Sequence, residues 1–374
     1  MYDLKIREFI WSHPDWEELL QKPPYCLKIS RDDGYIMFKY SQIESDFNEE
    51  IVREARGIIF REDNWDCVCH AFNKFGNYGE NYVPDIDWSS VAVTEKKDGS
   101  LIKWWWDNGS WHISTNGTID AAKANLNDVK FETFMDLIHH TFAEKSERQG
   151  MFTIYDIGDI FNQNRHCTLM FELVTPYNRV VVPTDKCDIF YLGARNMVTG
   201  EEYPMWDNPF KEYIDNPRIF DMKNLEDVKA AADALPWDEE GYVCVDKNFN
   251  RCKIKSPAYV LAHHARSNGV ITNKRLIEVI LRNEIKEFCI YCSEYTDKLR
   301  EIQMRMAEKD YEAHSAVCRY CGMNTKKEMA LAMKEDNVLN WVQGFCFKNF
   351  DKGTDWTGYT SGWSLEKWER VLEV

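Results

Sequence analysis

"VTEKKDGSLIKWWW", from Val93 to Trp106, sets Lys96 and Lys97 before an Asp98-Gly99-Ser100 turn, and an apolar run follows at once. The run reads as a strand, and "WWWDNGSW" folds it back into a hairpin whose Asn108-Gly109 supplies the positive φ of a tight turn. Trp104 to Trp106 must then alternate between the two faces of the sheet, which suits core packing better than base stacking. A lysine beside Asp-Gly is ordinary at an exposed turn. Whether this one is more depends on what the rest of the chain offers it.

On either side the same texture continues. "YIMFKY", "RGIIF", "SWHIST", "TLMFELV", "RVVV", "DIFYLGA", "GYVCV" and "RCKIKS" are short β-branched or aromatic runs bounded by turn residues. Between them, residues 119–145 and "LEDVKAAADAL" have helical spacing. After Ser256 the pattern changes to apolar residues three and four apart over many turns, without proline through the long run from Lys274 to Cys321, and "KKEMALAMKEDNVLNWVQGF" continues it. The reading is an α+β domain over residues 1–260, built of antiparallel sheets with helices, followed by a smaller all-helical domain over 261–374.

Composition bounds the function. At 374 residues the chain exceeds the usual size of one hydrophobic core. With 44% hydrophobic residues and 14 tryptophans it has material for well-packed cores. A net charge of -16 excludes a general nucleic-acid coat, so any basic footprint must be confined to a groove. No N-terminal stretch reads as a signal peptide and no apolar run reaches a membrane span, so a cytoplasmic location is expected. The 12 cysteines are then expected as reduced thiols.

Four further signals give Lys96 company. "EARGIIF" puts Arg56 at the mouth of a strand. "FELV" puts Glu172 inside an apolar run, where a carboxylate is costly to bury alone. "EEGYVCV" puts Glu240 at the head of a strand, and "CKIKSPAY" puts Lys253 and Lys255 two apart, on one face. Together they suit nucleotide phosphate chemistry: amines for phosphates, carboxylates for ribose hydroxyls and Mg²⁺, and a lysine as nucleophile.

"KKDG" (Lys96 to Gly99), "FELV", "EGYV" (Glu240 to Val243) and "KIK" (Lys253 to Lys255) resemble, in this order, motifs I, III, IV and V of the covalent nucleotidyltransferases. "EARGIIF", "NKFGNYGEN" and "FELVTPYNRVVV" are most similar to the bacteriophage RNA ligase 1 family, which reseals broken tRNA. The resemblance covers about residues 25–262. It implies an ATP-grasp-like ligase (nucleotidyltransferase) domain and a three-step, ATP-dependent joining of RNA 5′-phosphate and 3′-hydroxyl ends. Lys96 would be the nucleophile that takes AMP, with Asp98 a further catalytic residue and Gly99 at the nucleotide. Arg56 would contact the nucleotide, Glu172 the ribose, Glu240 a catalytic Mg²⁺ or Mn²⁺, and Lys253 and Lys255 the α-phosphate. Tyr259, Lys74 and Tyr40 are further nucleotide-contact candidates. The family also implies a cleaved tRNA as substrate, a kinase/phosphatase partner that heals RNA ends, a tRNA-recognising helical domain, and the host cytoplasm if the protein is phage-encoded.

The residues support those roles physically. A free lysine amine, with a pKa near ~10.4, is protonated and unreactive at neutral pH. Cations beside it would disfavour the ammonium and stabilise charge developing on a phosphate. Lys97, on the opposite strand face, is expected in solvent.

Two features depart from the family. Asn116 in "STNGT" stands where related ligases often carry a basic residue, and "IYDIGDIFNQNRHC", taking in Tyr155 to Cys167, reads as an insertion, either a substrate-facing loop or a longer turn. Cys289, Cys292, Cys318 and Cys321 form two C-x-x-C pairs of zinc-like spacing, although on helices such pairs more simply pack as core thiols. The His139-His140 and His263-His264 pairs read as surface residues. The basic segment from His263 to Arg275 is read equally as an RNA-phosphate contact at the domain junction or a linker. Competing readings are a DNA ligase or capping enzyme, against which the helical tail argues, and an RNA-binding protein that kept the fold and lost turnover.

Overall fold

The Asn108-Gly109 turn forms as expected: both residues take positive φ, 46° and 84°, and Ile102 to Asp107 pair antiparallel with Ser110 to Thr115. The computed structural model describes residues 2–126, 130–149, 154–178, 181–264, 271–282, 284–352, 360 and 363–372. It divides into two compact units, Met1–His263 and His264–Val374.

The first unit opens with helices α1 (Lys5–Ser12) and α2 (Trp16–Leu20), strands β1 (Lys28–Asp32) and β2 (Tyr35–Lys39), helix α3 (Glu50–Glu54), and strands β3 (Arg56–Arg61) and β4 (Cys67–Cys69). The four strands make one sheet in the order β1-β2-β3-β4. Side chains alternate along it: Phe38, Ile58 and Phe60 bury with Ile6, Ile10 and Leu20 of the helices. Tyr35, Met37 and Ile59 face the other way, against Trp105 and Ile119. Leu4 offers α1 no capping side chain, and the Glu54 carboxylate accepts instead from the amides of Lys5 and Ile6, both at 3.0 Å.

A bulge sets the position of one site residue. Between Phe38 and Lys39 the β2–β3 register slips past Gly57, which sits at φ 70°. One extra residue inverts the facing of what precedes it, so Arg56 leaves the face of Ile58 and joins that of Lys39.

The chain continues through β5 (Ala92–Glu95), β6 (Ser100–Asp107), β7 (Ser110–Thr115), α4 (Phe134–Gln149), α5 (Ile154–Gln163), β8 (Cys167–Val174), β9 (Asp188–Asn196), β10 (Glu202–Pro204), β11 (Ile219–Phe220), α6 (Leu225–Asp233), β12 (Gly241–Val245), β13 (Arg251–Lys255) and α7 (Pro257–His264). They build two more sheets, β10-β9-β8-β6-β7 and β11-β5-β12-β13. All named strands pair antiparallel, as the α+β reading requires.

Three local expectations are corrected. The helix read over 119–145 begins only at Phe134, after a single turn at Ala121–Lys123; residues 127–129 lie outside the described residues. "RVVV" is no strand where it is described: the Val181 and Val182 amides bond the Asp98 carboxylate, and residues 179–180 lie outside. The insertion forms most of α5, whose Phe161 stacks on Trp104 at 4.6 Å and buries with Ile157, Phe171 and Phe210. It is a packing element over the second sheet; Phe152, just before it, lies outside the described residues.

The second unit holds α8 (Asn273–Leu281), α9 (Ile285–Tyr291), α10 (Thr296–Tyr320), α11 (Lys326–Glu335), α12 (Asn340–Asn349) and α13 (Leu365–Leu372). The long helical run is broken between Leu281 and Ile285 and again around Cys292. Thr272 and Thr325 cap α8 and α11 by accepting from the amides three residues on. Residues 265–270 of the basic segment lie outside the described residues. No described helix is long and apolar enough to cross a membrane.

Candidate active site

Strand register brings Lys96 to Glu240. Glu95 pairs with Tyr242 across β5 and β12, and the Lys96 amide then donates to the Gly241 carbonyl at 2.8 Å. Gly241 in turn stands opposite Lys255 on β13. Three consecutive strand ends thus carry Lys96, Glu240 and Lys255. The Lys96 Nζ donates to Glu240 Oε2 at 2.6 Å, and Lys255 Nζ lies 3.6 Å from the other oxygen. Glu240 is thus a buried carboxylate set between two lysine side chains.

Period 2 on β13 does the rest. Cys252 and Ile254 enter the core with Tyr242 and Val93, which turns Arg251, Lys253 and Lys255 to the other face. Thr94, Val243 and Lys253, mutual register partners, line a cavity of about 260 Å³. Arg56, Lys74, Lys96, Gly99 and Glu172 also line it. The Gly99 backbone lies so close to β8 that a Cβ would strike the Leu173 carbonyl oxygen.

The charges around this cavity are incompletely matched. Arg56 lies over the rings of Phe72 and Phe75, at 4.6 and 5.4 Å, and its buried Nε and Nη1 have no hydrogen-bond partner among the described residues. Glu172, on β8 opposite Leu101 and Phe190, has no ion pair or side-chain hydrogen bond among the described residues. Burial pushes its carboxyl up to about 7, although Lys96 and Arg56 pull the other way. The folded chain therefore holds a proton that the unfolded chain releases near its ordinary value, and this contribution to stability is lost as pH rises from about 4.5 towards 7. Glu172→Gln is accordingly expected to gain stability over the wild type on raising the pH from 5 to 7.5, by on the order of 1–3 kcal/mol. Denaturant melts at the two pH values measure it; a constant gap contradicts it.

Other candidates sit elsewhere. Asp98 does not line the cavity: Oδ2 accepts from the Val181 and Val182 amides at 2.8 and 2.7 Å, and Oδ1 accepts from the Tyr259 hydroxyl at 2.9 Å. It locks the loop after Lys96, and the buried Tyr259 serves that lock. Tyr40 lies behind Lys74, whose ammonium is 5.5 Å from its ring. Lys97 is not in solvent; it donates to Glu95 at 2.8 Å, lies 4.3 Å over Phe190 and lines the cavity.

Sequence reasoning missed Phe72, Phe75, Leu192, Phe249 and Arg251, which also line the cavity. Arg251 was within reach, because it precedes Lys253 by two and so shares its face. The aromatic wall comes from loops, where no periodicity points.

The four cysteines of the C-x-x-C pairs are not gathered into a ligand group among the described residues. Cys292 and Cys321 are buried, Cys318 is exposed, and the Cys321 thiol donates to the Cys346 carbonyl at 3.8 Å inside a hydrophobic cluster. His140, Glu144 and Cys187 do lie together, within 4.8 Å of one another. Arg148 already pairs with Glu144 at 2.5 Å, and burial beside Glu144 pushes the Cys187 thiol up to about 12, so this is a neutralised structural cluster. His140 is thereby half-buried, unlike the exposed His139.

Glu172 lines the cavity, whereas Glu240 does not; Glu240 stands beside it, held by Lys96, and is the carboxylate that would hold a divalent ion there. One or two carboxylates completed by substrate phosphates and water is the donor set Mg²⁺ prefers, so these residues fit it.

Comparison with known sequences points one way. Residues 54–259, more than half the chain, match the family model described as RNA ligase, of the T4 type 1 class. A protein of Autographa californica nuclear polyhedrosis virus named as a bifunctional polynucleotide kinase/RNA ligase is 30% identical over 286 residues, 73% of this chain, which spans only 39% of that relative's length. An RNA ligase of Rhodothermus phage RM378 is 26% identical over 349 residues, covering 77% of each chain. Among solved structures, an archaeal ATP-dependent RNA ligase aligns over 84% of this chain and 83% of its own, with a TM-score of 0.46 and 14% identity.

Proposed function

This chain belongs to the RNA ligase family whose model it matches, and from that premise we propose that it joins RNA 5′-phosphate to RNA 3′-hydroxyl at the expense of ATP. The observation that carries the reading is Lys96 held against Glu240 at 2.6 Å, with Lys255 beside them and Lys253 on the same cavity.

Lys96 Nζ attacks the α-phosphorus of ATP; the N–P bond forms, the bond to pyrophosphate breaks and the amine loses a proton. The RNA 5′-phosphate then takes AMP from Lys96, forming a 5′-5′ pyrophosphate. Finally the 3′-hydroxyl attacks the RNA 5′-phosphorus and AMP leaves. Lys253 and Lys255 hold charge on the α-phosphate oxygens throughout. Glu172 accepts from a ribose hydroxyl, and the aromatic wall takes the base beside Arg56. Glu240 would hold the divalent ion, which supplies further positive charge on the α-phosphate. With its carboxylate so engaged, Glu240 would release Lys96 to act as nucleophile.

Repair of cleaved tRNA, with end recognition by the helical unit and end healing by a kinase/phosphatase, is the finer form of the proposal. The kinase named in the baculovirus relative supports the last part. The test compares a tRNA cut in its anticodon loop, carrying 5′-phosphate and 3′-hydroxyl, with a linear RNA of equal length. ATP-dependent joining of both, with the tRNA at least about tenfold better in kcat/KM, supports it. Equal rates remove the tRNA part, and no joining of either removes the ligase reading.

A further inference from the structure

Lys28, Lys39 and Arg56 stand opposite one another across β1, β2 and β3. The Gly57 bulge is what brings Arg56 onto the face of Lys39. Like charges placed directly opposite on a sheet repel. Among the described residues no carboxylate lies within ion-pair distance of any of the three.

Lys39 follows Tyr35 and Met37 onto the face turned to the sheet of β6 and β7. Its Nζ lies 3.1 Å from where a Cβ on Gly117 would stand, beside Asn116, which lines the cavity. The buried Lys103 reaches the same place, donating to the Gly57 carbonyl. Burial, with Arg56 and Lys39 adding to it, pulls the Lys103 amine down to about 8, so the three cations share one field. A cationic row beside the cavity, with unpartnered guanidinium nitrogens at its inner end, is matched when an anion enters.

We propose that Lys39, together with Arg56, binds the terminal phosphates of ATP, and so supplies from a neighbouring strand a cation at the wall where Asn116 brings none. This rests on the ATP-dependent ligase reading and assigns that site a further residue. The choice of phosphate follows from placement. Lys96, Lys253 and Lys255 belong to the sheet of β5, β12 and β13, whereas Lys39 lies on the first sheet, beyond Arg56. In-line displacement requires pyrophosphate to leave on the side away from the attacking amine.

The test measures binding of ATP and of AMP, AMP transfer to the protein, and sealing of pre-adenylylated RNA, for the wild type, Lys39→Ala and Lys39→Arg. Lys39→Met, which keeps the aliphatic stem, replaces the alanine variant if that does not fold. Expected for Lys39→Ala is a loss of about tenfold or more in ATP affinity. AMP affinity and sealing of pre-adenylylated RNA should stay within about twofold. Lys39→Arg should recover most of the ATP affinity, and the ligand-free alanine variant should melt no lower than the wild type, since a repulsive row has been thinned. Unchanged ATP affinity, an equal fall for AMP, or a loss confined to the RNA step overturns the proposal. A wild type that takes up no AMP overturns the ligase reading itself, and shows this before any variant is compared.

Discussion

Lys96→Ala is expected to abolish ATP-dependent joining, by about 10⁴-fold or more, while joining of pre-adenylylated RNA falls by no more than about tenfold. The split follows from the chemistry: the amine is needed to form and break the N–P bond, whereas the last step uses an RNA hydroxyl. No neighbour can substitute. Lys97 is paired with Glu95 and lies over Phe190, and Lys253 belongs to a different strand. Lys96→Arg should be equally inactive with ATP, because a guanidinium keeps the charge and is no nucleophile at neutral pH. It should hold Glu240 better than alanine does, so the two variants differ in melting temperature and agree in activity. Comparable loss in all three steps would place Lys96 in a structural role.

Glu240→Ala is expected to slow AMP transfer to the protein by roughly 10²–10³-fold. The buried carboxylate separates Lys96 from Lys255, and without it two ammonium groups face one another with no anion between them. The same change removes the carboxylate proposed to hold the divalent ion. Raising Mn²⁺ or Mg²⁺ should therefore not restore the alanine variant, while Glu240→Asp should recover in part as metal is raised. Full activity of Glu240→Ala in ordinary Mg²⁺ would remove Glu240 from the site.

What could be read beforehand depended on how local each signal was. The Asn108-Gly109 hairpin, the strand in "TLMFELV" and the shared face of Lys253 and Lys255 follow from strand composition, period 2 and turn chemistry, and all appear as read. The Gly57 bulge could not be seen, because nothing in "EARGIIF" separates a register slip from a continuous strand, yet that slip decides which way Arg56 points. The partners of Asp98 could not be seen either, because they are distant in sequence. Its place in the motif put it among the catalytic residues, and its carboxylate accepts from two amides some 80 residues away and from Tyr259. The α5 insertion read as loop or turn because its aromatic face matters only once Trp104 and Phe210 are in place.

The pairing of Lys96 with Glu240 is an account of a nucleophile, and the attachment point of AMP tests it most directly. Wild-type protein freed of nucleotide is incubated with ATP and Mg²⁺, denatured, digested under alkaline conditions that preserve a phosphoramidate, and mapped by mass spectrometry. The expected result is one adenylyl adduct, on the peptide carrying Lys96, with none from GTP. No adduct, or an adduct on Lys97, Lys253 or Lys255 in place of Lys96, would contradict it.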